Sequence, residues 1–456
     1  MKLGPALVQT VRHFFPQLNA WLQALPDTRQ AEVCTYETRF LAWWGICLYL
    51  FGLRSRRQGD FRLDARGTAV LANLNRLADT RQTTRPVHGT LDHFVGHVGA
   101  AGFASVRTQM VRQLIRSKVL DPARLLGYLV VPLDGTGQCS FRQRHCDGCL
   151  VQRHGQTTVY YHEVLEAKVL GPAELVFSLA SAFIENADAP PSAPCRSAEA
   201  VKQDCELNAF SRLAPQLKKD FPQLRLCLSV DALYACGRFF QVCRDYDWAF
   251  VCTFKPKDLS TAWDEFQRLL PLCPHNRLER ELPDGTRQLY RWMPQVGYTD
   301  AQGRSWAFNA IQLQETIDHQ TTTFAWLTPL PVSARTVEAI ATHGGRHRWR
   351  IENQGFNRQK NSALNLQHLF STDPEKLKAY YYLLQIACIL LHLLEQGSLL
   401  RRLAQEHGRT PWQLWGSLNN LAWLLLESLR CFAWPEECFR PQAARVRVRF
   451  APFNSS

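Results

Sequence analysis

The chain has 456 residues, 46% hydrophobic and 20% charged. That is about three domains' worth at ~150 residues each, and it excludes a largely disordered or fibrous protein. Its 53 basic and 40 acidic residues leave a net charge of +13, which points to a polyanionic partner, nucleic acid before membrane.

The longest apolar runs, residues 40–53 and 380–394, fall short of the ~18 residues of a membrane span. Residues 1–15 carry no continuous apolar signal segment. Fifteen cysteines, an odd number and mostly single within apolar stretches, read as reduced thiols of a cytoplasmic protein.

Residues 1–122 read as helical. Residues 41–53 predict a buried helix, and 106–119 place Val111, Leu114 and Ile115 at helical spacing. Residues 51–120 hold 12 basic and 4 acidic side chains, densest at Arg54, Arg56 and Arg57; this is either a solvated face or a phosphate-contacting one. From residue 123 the pattern turns to strands: a short apolar run over 125–132 ends at Leu133-Asp134-Gly135, and 157–170 and 175–184 follow. A loop at 190–194 leads to a helix over 197–217, with Ser197 near its start. Residues 224–230 form a strand ending at Asp231, then come helix 238–246, strand 248–254 and helix 259–270. Turn signals at Pro283-Asp284-Gly285 and Asp300-Ala301-Gln302-Gly303 mark 273–322 as an inserted antiparallel element. Strand 324–330 follows, then a helix from Ala334 with a break at Gly344-Gly345, and 374–432 are strongly helical.

This order predicts an α/β fold, a mixed sheet flanked by helices. The predicted divisions are a basic helical region at 1–122, the first part of the core at 123–272 and the β-rich insertion at 273–322. The closing strand and glutamate-bearing helix take 323–365, and a helical region with a basic tail (Arg445, Arg447, Arg449) takes 366–456.

Asp134 and Asp231 each follow a short apolar run. A carboxylate at the end of a buried strand needs a cation or donors to stabilise it, and two adjacent strands would aim both at one point, where a divalent metal relieves their repulsion. Taken singly, the ordinary reading of each is an Asp that initiates a turn or caps the next element. On a helix, Arg348 and Glu352 lie four apart on one face. Asp204 and Glu206 are competing carboxylates, ranked lower because they fall within a predicted helix.

Arg348-Trp349-Arg350-Ile351-Glu352, followed by Phe356 and Lys360, resembles the "RWxIExxF…K" helix of bacterial insertion-sequence transposases of the DDE type. Asp134 and Asp231, 97 residues apart, and Glu352, 121 further on, match the acidic positions of members with a β-rich insertion before the glutamate. The segments around His145–Cys149, Thr158–His162, Lys202–Ala209 and Ser229–Ala235 resemble one subgroup. The resemblance covers roughly residues 123–395. It implies an RNase H-like core in which Asp134, Asp231 and Glu352 hold two Mg²⁺ (or Mn²⁺) ions for endonucleolytic cutting and joining of double-stranded DNA ends. It also implies a homodimer on DNA, with the 366–432 helices as a candidate interface. Arg348, Lys360 and Arg346, with Arg54, Arg56 and Arg57, are the candidate DNA contacts. Two positions depart from the family pattern: Gly345 stands where a tyrosine is common and Gln359 where a lysine is, with Lys360 one residue late. A structure-specific nuclease on the same core and an inactive DNA-binding relic are the alternatives.

Cys146-x2-Cys149, with His145 beside it, has half the spacing of a tetrahedral zinc site, which Cys139 or His154 would complete. Free thiols are the other reading.

Overall fold

The computed structural model describes residues 2–64, 68–186, 204–439 and 448–450. Ser197, the 190–194 loop and Arg445 and Arg447 of the basic tail lie outside these residues. Among the described residues, ten strands form one mixed sheet: β1 (Leu129–Phe141), β2 (Leu150–His154), β3 (Thr157–Leu170), β4 (Val176–Ile184), β5 (Leu226–Val230), β6 (Ala249–Thr253), β7 (Arg277–Glu281), β8 (Arg287–Thr299), β9 (Ser305–Ile317) and β10 (Gln320–Thr328). The order is β2-β3-β1-β5-β6-β10-β9-β8-β7, with β4 also beside β3. β1, β5 and β6 run parallel; every other pairing is antiparallel. β5 is buried at all five positions, as a central parallel strand covered on both faces must be. Helices Glu206–Asp220 and Gly237–Asp245 connect into and out of it.

The mixed sheet with flanking helices is the expected fold class. The inserted antiparallel element continues the main sheet, because β10 pairs with β6 on one side and β9 on the other. Its predicted turns join β7 to β8 and β8 to β9.

Three local expectations change. Asp134 lies inside β1 rather than at its end: the apolar run stops at Leu133, but antiparallel pairing with β3 carries the strand on to Phe141. The described part of the 197–217 helix begins at Glu206 and runs to Asp220. Gly344-Gly345 does not break the helix that follows β10. Helical winding continues from Val337 to Asn361 through π-helical turns at Ile340–Gly345 and Ile351–Asn357. The two glycines let this segment sit directly on the sheet, where a Cβ on Gly344 would stand 2.5 Å from Val251 and one on Gly345 would overlap the Trp326 indole.

The N- and C-terminal helices pack together. Pro374–Gln396 lies against His88–Arg116, Thr38–Leu50 and Leu3–Phe14. Pro374–Gln396 is long and apolar enough to cross a membrane, but 89% of that apolar window is buried inside the protein. It is a core helix, buried continuously from Ala379 to Leu394.

Candidate active site

The parallel register of β1 and β5 sets the site. Pairing advances one for one from Leu129–Leu226 to Pro132–Ser229, and two further steps reach Asp134 and Asp231. The 97-residue interval between the aspartates is therefore the offset of the two strands. Asp231 leaves β5 as the cap of a short turn, its Oδ1 accepting from the Leu233 amide at 2.9 Å. Its turn-capping role and its place beside Asp134 are compatible, since a carboxylate has further lone pairs to offer.

Glu352 comes from the irregular helix lying on these strands. Buried Ile351 and Phe356 hold that segment down, and Ser229 Oγ donates to the Gly344 carbonyl, tying it to β5. Arg348 bridges two of the acids, with Nη1 3.7 Å from Asp134 Oδ2 and Nη2 3.2 Å from Glu352 Oε1.

Glu206 is the fourth carboxylate. As the first residue of its helix it receives the positive end of the helix dipole, and its Oε2 accepts from the buried Tyr234 hydroxyl at 3.2 Å. It stands over Gly135: a Cβ there would lie 2.5 Å from Glu206 Oε1 and 2.9 Å from Glu163 Oε1. The Gly135 position thus leaves room for two acids that a side chain would displace. Asp204 lies apart, bound to Arg212 at 2.6 Å and accepting from the Glu185 amide at 3.2 Å.

The electrostatics record this convergence. Burial, reinforced by the charges of Glu206, Glu352 and Asp231, pushes the Asp134 carboxyl up to about 7 even though Arg348 pulls the other way. Burial also raises Glu206, with Glu163 and Asp231 adding to it. Glu163 is raised by burial and drawn back by Lys360. Such a surplus of carboxylates around one arginine fits divalent cations, and hard oxygen donors suit Mg²⁺ or Mn²⁺.

The other predicted contacts separate. Lys360 acts on Glu163 at the edge of the site despite its one-residue offset. The ~100° displacement expected on an α-helix does not apply to a π-wound segment, whose i→i+5 turn takes up an extra residue. Gln359 is fully buried; its amide nitrogen donates to Gln385 at 2.9 Å, and its oxygen faces Lys168 Nζ at 3.5 Å. Gly345 has no space for a tyrosine against Trp326. Arg346 is engaged by the insertion, 3.1 Å from Glu315 and stacked over Phe324. In the N-terminal region Arg56 pairs with Asp92 at 2.8 Å, while Arg54 and Arg57 are exposed.

No protein-family model and no curated protein matches this chain. Among solved structures, it is similar to a piggyBac transposase synaptic complex with hairpin DNA, determined by cryo-EM, at 9% identity and a TM-score of 0.37; the match covers 93% of this chain and 80% of that one. A likeness at that level leaves the functional reading to the motif and the geometry of the site.

Proposed function

We propose that the protein is a DDE-type DNA transposase that cuts and joins the ends of a mobile element by metal-dependent phosphoryl transfer. The observation that carries this reading is the gathering of carboxylates around Asp134: the β1–β5 register aligns Asp231 with it, Arg348 bridges it to Glu352, and Glu206 stands over the adjoining Gly135. Asp134, Asp231 and Glu352 would hold two Mg²⁺ or Mn²⁺ ions, with Glu206 beside them. Such a pair, when bound, activates the attacking hydroxyl and stabilises the leaving oxygen.

The chain's own side chains do the positioning. Arg348 neutralises Asp134 and Glu352 and presents a planar fork suited to a phosphate. Lys360, beside Glu163, adds a second positive charge at the rim. Exposed Arg54 and Arg57 are further candidate contacts for double-stranded DNA. Joining two ends calls for two copies of the chain.

The test is a cleavage and strand-transfer assay with Mg²⁺ on DNA bearing the element's terminal repeats. Asp231→Asn and Glu352→Gln are each expected to cut roughly a thousandfold more slowly, the several kcal/mol that metal catalysis supplies, while still binding DNA. Wild-type rates in either variant would remove the assignment. Cutting without strand-transfer products would convert it to a nuclease.

A further inference from the structure

A second group of metal-ligating side chains meets at the β1–β2 turn. His145 Nδ1 lies 3.1 Å from Cys149 Sγ, and Cys146 Sγ lies 3.5 Å from Cys149 Sγ and 3.3 Å from His162 Nε2. Cys149 Sγ is 3.6 Å from the same His162 nitrogen. All four ligand atoms fall within 4.8 Å of one another. Tetrahedral zinc, with Zn–S of about 2.3 Å and Zn–N of about 2.0–2.1 Å, separates its ligand atoms by roughly 3.3–3.8 Å. The four contact spacings meet that requirement within a few tenths of an ångström, and the remaining two pairs stay within 4.8 Å.

The fourth residue is the one that sequence spacing could not supply. His162 comes from the middle of β3, and the pairing of β3 with β1 and β2 carries it to the CxxC turn. Cys139, the sequence candidate, is its partner across the β1–β3 ladder and lies outside the group of four; the side chain of His154 is outside the described residues. Buried free thiols would need only apolar neighbours. Here two thiols and two ring nitrogens instead converge from two segments on one point. Two thiol and two imidazole ligands select zinc over Mg²⁺ or Ca²⁺.

We propose that His145, Cys146, Cys149 and His162 bind one Zn²⁺ as a closed structural site. Four protein ligands leave no open position for substrate, so the ion's work is mechanical. It fastens the turn to β3, and hydrogen bonds carry that constraint onward. Asn186 Nδ2 donates to the Cys149 carbonyl at 2.9 Å, and the Asp204 amide donates to Asn186 Oδ1 at 3.2 Å. Asp204 stands two residues before Glu206, so the zinc turn braces the entrance to the helix that delivers the fourth carboxylate.

The test uses full-length protein expressed with zinc and purified without chelator, with metal content read by mass spectrometry. One zinc per chain is expected in wild type, in Cys139→Ser and in Asp134→Ala alike. The last variant separates this site from the carboxylate site, whose failure as an active centre would leave the zinc count unchanged. His162→Ala and the Cys146→Ser/Cys149→Ser pair are expected to release zinc to a competing chelator that wild type withstands. Should those variants not fold, Co²⁺ exchanged into wild type must show thiolate charge-transfer bands and tetrahedral ligand-field bands. Folded wild type without stoichiometric zinc, retention of zinc by folded His162→Ala, or Co²⁺ spectra lacking thiolate bands would each overturn the proposal.

Discussion

Replacing Asp134 by asparagine in metal-free protein isolates the electrostatic cost of the site. Burial and the neighbouring acids push the Asp134 carboxyl up to about 7, whereas an aspartate in an unfolded chain titrates near 3.9. Between roughly pH 4 and 7 the folded state therefore holds a proton that the unfolded chain has lost. Stability from this group is fully present below about pH 4, is lost as the pH rises through the window, and levels off above about 7. A shift of about three pH units at ~1.4 kcal/mol each sets a ceiling of about 4 kcal/mol. With an unfolding entropy of roughly 1 kcal/mol per kelvin for a chain this long, the ceiling corresponds to about 4 °C in melting temperature.

Asparagine has no charge to bury, so the variant escapes the loss. Thermal melts in chelator from about pH 5 to pH 8 should show wild type falling behind Asp134→Asn as the pH rises, by about 3 °C over the roughly two pH units of the window that the scan crosses. Saturating Mn²⁺ should close the gap in wild type alone, because only wild type has the carboxylate to bind it. Glu206→Gln, which removes one of the charges acting on Asp134, should recover part of the gap in chelator. Melting curves offset equally across the whole pH range would refute the reasoning.

Further predictions follow from the site and its surroundings. Gly135→Ala places a methyl against the mobile ends of Glu206 and Glu163; denaturation should be nearly unchanged while cleavage slows roughly ten- to a hundredfold through misplaced acids. Gly345→Tyr, which introduces the residue common at this position in the transposases the motif resembles, should instead destabilise the protein by about 1–3 kcal/mol or more in urea melts, since Trp326 already fills that space. Arg54→Ala/Arg57→Ala should leave chemistry on bound DNA intact and lower the slope of log affinity against log salt by about 2; an unchanged slope would remove these two side chains from the DNA path.

Much of this arrangement is readable along the chain. The apolar runs before Asp134 and Asp231 identify the two central strands because strand burial leaves a local hydrophobic signature. The Arg348–Glu352 spacing survives as a real contact even though the winding between the two residues passes from a 3-10 turn into a π-helical one. The turn residues of the insertion likewise encode their own geometry. What local pattern could not encode is pairing between distant segments. Only the β1–β5 register aligns the two aspartates, and only the placement of the Glu206 helix turns a residue that looks like a solvated helix acid into a member of the site.

The same limit applies to the two histidine–cysteine segments, which the β1–β3 and β2–β3 ladders join across a dozen residues. Lys360 is subtler: π winding, favoured where the glycine-bearing helix lies close on the sheet, has no simple sequence period, so its side chain could be placed only in three dimensions. Composition and periodicity thus determined which elements form and which residues could do chemistry. Tertiary packing decided which of those residues meet, because burial free energy depends on area summed over the whole fold rather than on neighbours in sequence.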